Sequence, residues 1–413
     1  MRDLASIVSV KSVWSLEGKD RVQGCNFNEL GYEAMVGKEI QPGDKVCFIQ
    51  EGSILPVKKE WEFLRKRCFR ESINGFLIKP QKFGTIKSWG LVVSLKDLPL
   101  SKKDYKIGED LTEALEIRKY EPEEEASPTK NTKKKWWISF LCHLPFVGNW
   151  FKKFFKSHFT CSTGGFPTDV ISKSDETTIQ NCPSVIERFN GSKFYISGKM
   201  EGQSFLCFMN FDKNKNKFKE PVLCGRNTRF RKNKPSNIFW KCFIKYDLEN
   251  KLKKFYKKYN MVLVLQGEQV GPTIQENIYN FKDNEWYVYT IKDFLTGRQL
   301  SVEEMITACK ELGLKTVPIL DKTFTMGEDF KTIDDFVKYA ENVKWVKDTD
   351  NIISYFNDKN CPKKSIQHEG IVVRSLDYDK DNHIGFSFKV KNLDYQEKGL
   401  KELKKKCVEY FGG

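Results

Sequence analysis

Five short pieces in a fixed order constrain this chain more than any other feature. Lys199 sits in Gly198-Lys199-Met200-Glu201-Gly202. It is followed by Leu223-Cys224-Gly225-Arg226-Asn227, Gln266-Gly267-Glu268-Gln269-Val270-Gly271-Pro272, His368-Glu369-Gly370-Ile371-Val372-Val373-Arg374, and Phe388-Lys389-Val390-Lys391. Lys-x-Glu-Gly alone is a weak pattern; the ordered set is strong. The pieces read as strand ends and adjoining turns. Met261–Leu265 is a buried-type strand running into Glu268, and Gly370–Arg374 and Ile384–Lys391 alternate as strands do. Helical segments lie between them. Asn250–Tyr259 carries Leu252, Phe255, Tyr256 and Tyr259 on one face and lysines on the other. Ser301-Val302-Glu303-Glu304 is a capping box opening a helix to about Leu312. Thr332 caps another, with Ile333, Phe336, Val337, Ala340 and Val343 inward. Strands and helices in this order make an α+β domain from about residue 166 onward.

The residue types make chemical sense together. A lysine that attacks phosphorus must be uncharged, yet its free pKa is about 10.4. Nearby cations disfavour the ammonium form. Lys389 and Lys391 alternate on one strand, so both face one side. With a divalent cation they can lower the pKa of Lys199 and offset negative charge on a bound phosphate. Glu201, Glu268 and Glu369 are three carboxylates from separate segments, and hard cations such as Mg²⁺ prefer oxygen ligands. Arg226 can offer a bidentate fork to phosphate or ribose oxygens. Singly, each of these reads as solvated surface charge or an ordinary ion pair. Their shared order favours a site.

Composition narrows the partners. The chain has 70 basic and 55 acidic residues, net +15, which favours a polyanion such as nucleic acid over a neutral ligand. The cysteines form no Cys-x-x-Cys pair, and the four histidines form no zinc-type cluster. The first residues do not read as a signal peptide. A reduced, cytoplasmic protein is the expectation.

The ordered set resembles the ATP-dependent RNA ligase branch of the covalent nucleotidyltransferases. Those enzymes attach AMP to a lysine and use it to join nucleic-acid ends. The resemblance implies that Lys199 is the nucleophile, with Lys389 and Lys391 also catalytic. It implies that Glu201, Glu268 and Glu369 hold Mg²⁺ or Mn²⁺ through water, and that Arg226 binds the ATP. In Trp286-Tyr287-Val288-Tyr289-Thr290, Tyr289 matches the ring that stacks on adenine. Glu201 replaces the Asp that many ligases carry there, and Thr290 replaces a frequent Asp. Gly271–Asn277 matches a pocket-shaping loop, and Lys173–Glu176 with Ile179–Asn181 matches the segment before the nucleophile. The partner implied is RNA, as a nicked duplex or as ends, and the protein is expected to act as a monomer. A DNA ligase or capping guanylyltransferase carries a further OB domain after the transferase domain, and only about twenty residues follow Lys391. A non-catalytic end-binding protein is the remaining alternative.

Residues 1–120 show short strands and turns, as in Ala5–Val10, Lys45–Ile49 and Leu91–Leu95, the pattern of a small β-barrel. Glu60–Arg67 and Phe76–Leu91 resemble parts of the N-terminal OB domain of some RNA ligases. Phe83–Gly90 departs from the usual Leu-Arg-Gly-x-x-Ser-Gln-Gly. Residues 121–165 form a linker, acidic at first and then rich in lysine with interleaved aromatics. Its foremost reading is an interdomain helical hairpin, then an RNA contact, then an interfacial membrane helix. Trp136–Phe151 is too short to span a bilayer, and no stable membrane association is expected. Residues 166–413 form the transferase domain.

Overall fold

The computed structural model describes residues 3–83, 86–101, 104–120, 162–171, 173, 176–230, 237–349, 352–356, 361–376 and 386–412. The basic aromatic run from 121 to 161, and with it most of the expected linker, lies outside the described residues.

The first domain is built on Ala5–Ser15, which pairs antiparallel with both Val22–Phe27 and Lys45–Gln50. The sheet runs in the order Gly90–Ser94, Lys45–Gln50, Ala5–Ser15, Val22–Phe27, Glu33–Gly37. Its edges curl together. The Trp89 N–H donates to Glu33 O at 3.1 Å, and the Met35 N–H donates to Ser88 Oγ at 3.2 Å. The result is a nearly closed barrel, as the short strands imply. Alternation along Ala5–Ser15 sends successive side chains to opposite faces. Ile7 joins a cluster with Cys47, Trp61 and Phe76, while Val8 and Val10 join Phe48 and Trp89.

The second domain has two principal sheets. The larger runs Ser162–Gly165, Thr228–Phe230, Lys217–Cys224, Gln203–Asp212, Leu263–Val270, Glu285–Asp293, Lys315–Thr316. The smaller runs Thr177–Thr178, Ser387–Lys391, Gly370–Ser375, Lys193–Gly198, Ile319–Thr325. Helices Ile238–Lys245, Leu248–Tyr259 and Val302–Leu312 share a core with Phe205, Leu265 and Trp286 of the larger sheet. Burying one such ring stabilises the fold by roughly 1.5–3 kcal/mol relative to leaving it exposed. Helix Ile333–Asn342 packs Phe336 and Ala340 against Ile196, Ile371 and Val390 of the smaller sheet. Both expected caps form. Ser301 Oγ accepts from the Glu304 N–H while the Glu304 carboxylate accepts from the Ser301 N–H, and Thr332 and Asp335 do the same.

The strand Lys193–Gly198 ends in the smaller sheet and Gln203–Asp212 begins in the larger one. Lys199–Gly202 is the crossing between them. Gly202 is required there: a Cβ would lie 2.4 Å from Gln269 O and 3.0 Å from Glu268 Cγ.

Two short helices follow Lys391, Leu393–Lys398 and Leu400–Phe411. Leu403 and Cys407 pack with Trp345 and Ile366, while Leu393 enters the barrel cluster of Val8, Val10, Phe48 and Trp89. Other contacts also join barrel and transferase domain. The Gly31 N–H donates to Gln180 O at 2.8 Å, and Asn181 Nδ2 donates to Gln50 Oε1 at 3.2 Å. Lys87 pairs with Glu341, and Lys391 with Glu51. No helix of the described residues is long and apolar enough to cross a membrane.

Candidate active site

A cavity of about 350 Å³ opens between the two sheets at the Lys199–Gly202 crossing. That size is in the range of small-molecule sites. Each wall comes from a different piece of the sequence. Arg226 stands in the turn between Lys217–Cys224 and Thr228–Phe230, closed by the Gly225 N–H donating to Thr228 O at 2.9 Å. Glu268 sits on Leu263–Val270, directly opposite Ser204 in the antiparallel register. Tyr289 comes from the next strand, Glu285–Asp293. Glu369 precedes Gly370–Ser375, and Lys389 lies on Ser387–Lys391.

The turn carrying Glu369 is tied to the lysine. Gly370 O accepts from the Lys199 N–H at 2.9 Å and from His368 Nδ1–H at 2.8 Å. Gly370 has φ +149°, and a Cβ there would lie 2.2 Å from Val390 O, so only glycine fits. His368 is buried, and burial pushes its pKa down to about 3. The neutral ring therefore acts as a fixed donor and packs edge-on against Tyr355, 4.6 Å between centroids.

Charge is concentrated on Lys199. Its ammonium is ion-paired with Glu369. Burial disfavours the ammonium, but the charges of Glu369, Glu201 and Glu268 outweigh it and hold the Lys199 pKa well above the ordinary lysine value. This differs from the expectation that neighbouring cations lower it. Carboxylates, not ammonium groups, make the closest charged surroundings in this state, and Lys391 is paired with Glu51. Burial and then the charge of Glu369 push Glu201 up to about 8, against the opposing pull of Lys199. Burial also pushes Glu268 up to about 8. Glu369 Oε2 is buried with no hydrogen-bond partner among the described residues. Three carboxyls facing one ammonium, with one oxygen unsatisfied, fit a divalent cation. Among the described residues, no group of three or more His, Cys, Asp or Glu side chains stands close enough to hold a metal ion directly.

Of the residues expected from sequence, Lys199, Glu201, Arg226, Glu268, Tyr289, Glu369 and Lys389 all line the cavity. Lys391 does not line it. Tyr289 is largely buried, with its hydroxyl 3.3 Å from Ser204 Oγ and the Arg374 guanidinium 5.6 Å from its ring centre. One ring face is thus already engaged by a cation.

Several residues that line the cavity or support its wall were not singled out from sequence. Arg374 is buried, donating to Ser197 Oγ at 2.7 Å and to Glu176 Oε1 at 3.1 Å. Its signal was an arginine closing the apolar run Ile371–Val373, two positions from the pocket-facing Val372. Gln275 donates to Gly202 O and so ties the loop after Gly271 to the crossing. Tyr395 Oη donates to Glu201 Oε2 at 3.0 Å, and the Glu201 N–H donates to Tyr279 Oη at 3.0 Å.

A barrel ahead of a two-sheet domain, with a lysine ringed by carboxylates between the sheets, is the architecture of a nucleotidyltransferase. Residues 192–391 match the RNA ligase family model, and residues 4–95 match an OB-fold domain model. The second domain is thus similar to the RNA ligase family over residues 192–391, behind a region similar to an OB-fold domain. No curated protein matches. Among solved structures, the chain is similar to an RNA ligase of Naegleria gruberi. A variant of that protein with ATP and Mn has 24% identity and a TM-score of 0.70, covering 97% of this chain and 98% of that one. Another variant with AMP and Mn has 24% identity and a TM-score of 0.71, covering 97% and 100%. The same ligase with PPi has 23% identity and a TM-score of 0.71, also covering 97% and 100%. At these identities the likeness speaks for the fold.

Proposed function

We propose that this protein is an ATP-dependent RNA ligase that joins a 3′-hydroxyl to a 5′-phosphate through a lysyl-AMP intermediate. The observation that carries the reading is Lys199 at the sheet crossing, facing Glu201, Glu268 and Glu369 in one cavity. Lys199 Nζ attacks the α-phosphorus of ATP, a P–N bond forms, and pyrophosphate leaves with the electrons of the broken P–O bond. AMP then passes to the 5′-phosphate of an RNA strand and frees Lys199. The RNA 3′-hydroxyl attacks that activated phosphate, the phosphodiester forms, and AMP leaves.

Each side chain has one task in this scheme. Lys199 must lose its proton before it attacks, and the glutamates oppose that loss while they carry charge. Glu201, Glu268 and Glu369 would hold Mg²⁺ or Mn²⁺, hard cations that prefer oxygen ligands. When bound, that cation neutralises the carboxylates and stabilises charge on the α-phosphate. Arg226 and Lys389 bind ATP phosphate or ribose oxygens, and Lys391 joins them once it leaves Glu51. Tyr289 stacks on adenine with the ring face that Arg374 does not cover.

The wider reading divides the chain into an OB-like domain (1–120), a basic linker (121–165) whose last residues join the larger sheet, and the transferase domain (166–413). The RNA is a nicked duplex or a pair of ends, the protein works as a monomer without stable membrane association, and free thiols suit a reducing cytoplasm. The test is sealing of 5′-labelled RNA, nicked or single-stranded, by the purified protein with ATP and Mg²⁺ or Mn²⁺. The expected result is a joined product that Lys199→Ala cannot make. A wild-type protein that joins neither substrate, yet binds both, would favour an end-binding role.

A further inference from the structure

We infer that Tyr395 is a positioning residue for Glu201, fixing the orientation of that carboxylate toward the cation it helps to hold. The inference rests on the role proposed above for Glu201. Tyr395 lies beyond residues 192–391, the span that matches the RNA ligase family model. It belongs to the C-terminal segment, yet its hydroxyl reaches the cavity wall.

The placement is over-determined. Asn392, fully buried, opens the helix Leu393–Lys398, with its side chain accepting from the Tyr395 N–H at 3.3 Å. The Asn392 N–H donates to Glu369 O at 3.0 Å. The start of this helix is thus pinned to the residue that pairs with Lys199. One residue further, Leu393 is buried in the barrel cluster of Val8, Val10, Phe48 and Trp89. The Tyr395 ring is itself buried, beside Met200, Tyr279 and Trp345. Barrel core, Glu369 backbone and Glu201 carboxylate therefore meet within four consecutive residues. From this fixed ring the hydroxyl donates to Glu201 Oε2 at 3.0 Å, and Gln275 is a second side-chain hydrogen-bond partner of the same carboxylate. On the other side, Tyr279 Oη accepts from the Glu201 N–H at 3.0 Å. Glu201 is one methylene longer than the Asp usual at this place in such ligases. A longer, more rotatable carboxylate has more need of an outside partner to fix its direction.

The test is Mn²⁺ binding to the full-length protein without nucleotide, read by electron paramagnetic resonance of the free ion. Wild type, Tyr395→Phe, Glu201→Gln and the double variant are compared. Phenylalanine keeps the ring and its packing and removes only the hydroxyl; matched thermal unfolding of the variant and wild type verifies the fold. Loss of an outer partner of a metal-holding carboxylate weakens metal binding by about 10–100-fold. The expected result is a Tyr395→Phe loss of at least about tenfold, with no further loss from Tyr395→Phe in the Glu201→Gln background. Unchanged Mn²⁺ binding by Tyr395→Phe beside weakened binding by Glu201→Gln overturns the role of Tyr395 and leaves that of Glu201 standing. Unchanged binding by Glu201→Gln overturns both. Equal losses from Tyr395→Phe with and without Glu201 also overturn it, since the hydroxyl would then act elsewhere.

Discussion

Lys391, at the end of the last strand of the smaller sheet, is ion-paired with Glu51 of the barrel, and both side chains are mostly buried. Two residues earlier on that strand, Lys389 lines the cavity. The pair thus joins the OB-fold domain to the strand that carries the pocket lysine, and it occupies a cation the proposed chemistry calls on. For Lys391 to reach a phosphate it must leave Glu51.

Removing the charge at position 51 frees that lysine. Glu51→Gln is predicted to tighten the apparent affinity for ATP in lysine adenylation by on the order of three- to tenfold, since charge-assisted contacts are worth more than neutral ones. The check is the ATP concentration dependence of single-turnover adenylation. A weaker affinity would mean that the pair positions the strand and does not restrain it.

Metal binding should release protons. Burial pushes Glu201 and Glu268 up to about 8, so these carboxyls hold part of their protons near neutral pH in the free protein. A cation takes the ionised form and expels those protons. The sign of the stability effect follows. A carboxyl whose folded pKa is raised stabilises the fold below its unfolded value near 4.5, and that stability is lost as pH rises through about 8. Mg²⁺ should therefore raise the melting temperature more at pH 8.5 than at pH 6. Calorimetric titration with Mg²⁺ at pH 7, in two buffers of different ionisation enthalpy, should show net proton release. Identical heats in the two buffers would contradict it.

Arg374 is predicted to be structural as well as pocket-lining. Its guanidinium is buried and donates to both Ser197 and Glu176. Breaking a buried ion pair by removing one partner costs about 3–5 kcal/mol. Arg374→Ala should lose stability on that scale in urea unfolding. A loss below about 1 kcal/mol would mean that water replaces the guanidinium at little cost.

Gly370→Ala should damage both fold and site. The new Cβ would meet Val390 O at 2.2 Å in a conformation that L-residues rarely adopt. Because Gly370 O anchors both Lys199 and His368, the shift spreads to Glu369. Lower thermal stability together with slower adenylation is expected. An unperturbed adenylation rate would show that the anchor is dispensable.

Much of this was legible in the sequence, for physical reasons. Helix caps at Ser301 and Thr332 are local signals, and both form as read. The ordered pieces foretold most of the residues that line the cavity with Lys199, Lys391 excepted, since Lys199 and Arg226 follow strands, Glu369 precedes one, and Glu268 and Lys389 lie on strands of the two sheets that meet there. Charge balance around the lysine was not legible. Whether Lys391 faces the cavity or the barrel depends on where Glu51 sits, some 340 positions away in the chain. The sequence also hid Tyr395. A tyrosine in a short amphipathic tail reads as core, and only the fold brings its hydroxyl to Glu201. Arg374 was hidden likewise, because its partner Glu176 lies in another segment.

The central claim is that Lys199 forms a covalent bond to AMP. The direct test is incubation of the protein with α-labelled ATP and, separately, α-labelled GTP, with Mg²⁺ or Mn²⁺, followed by a denaturing gel, with Lys199→Ala as control. The account predicts label from ATP on the wild-type band and none on the variant. Label from GTP alone would indicate capping-type chemistry, and no label under any condition would contradict the account.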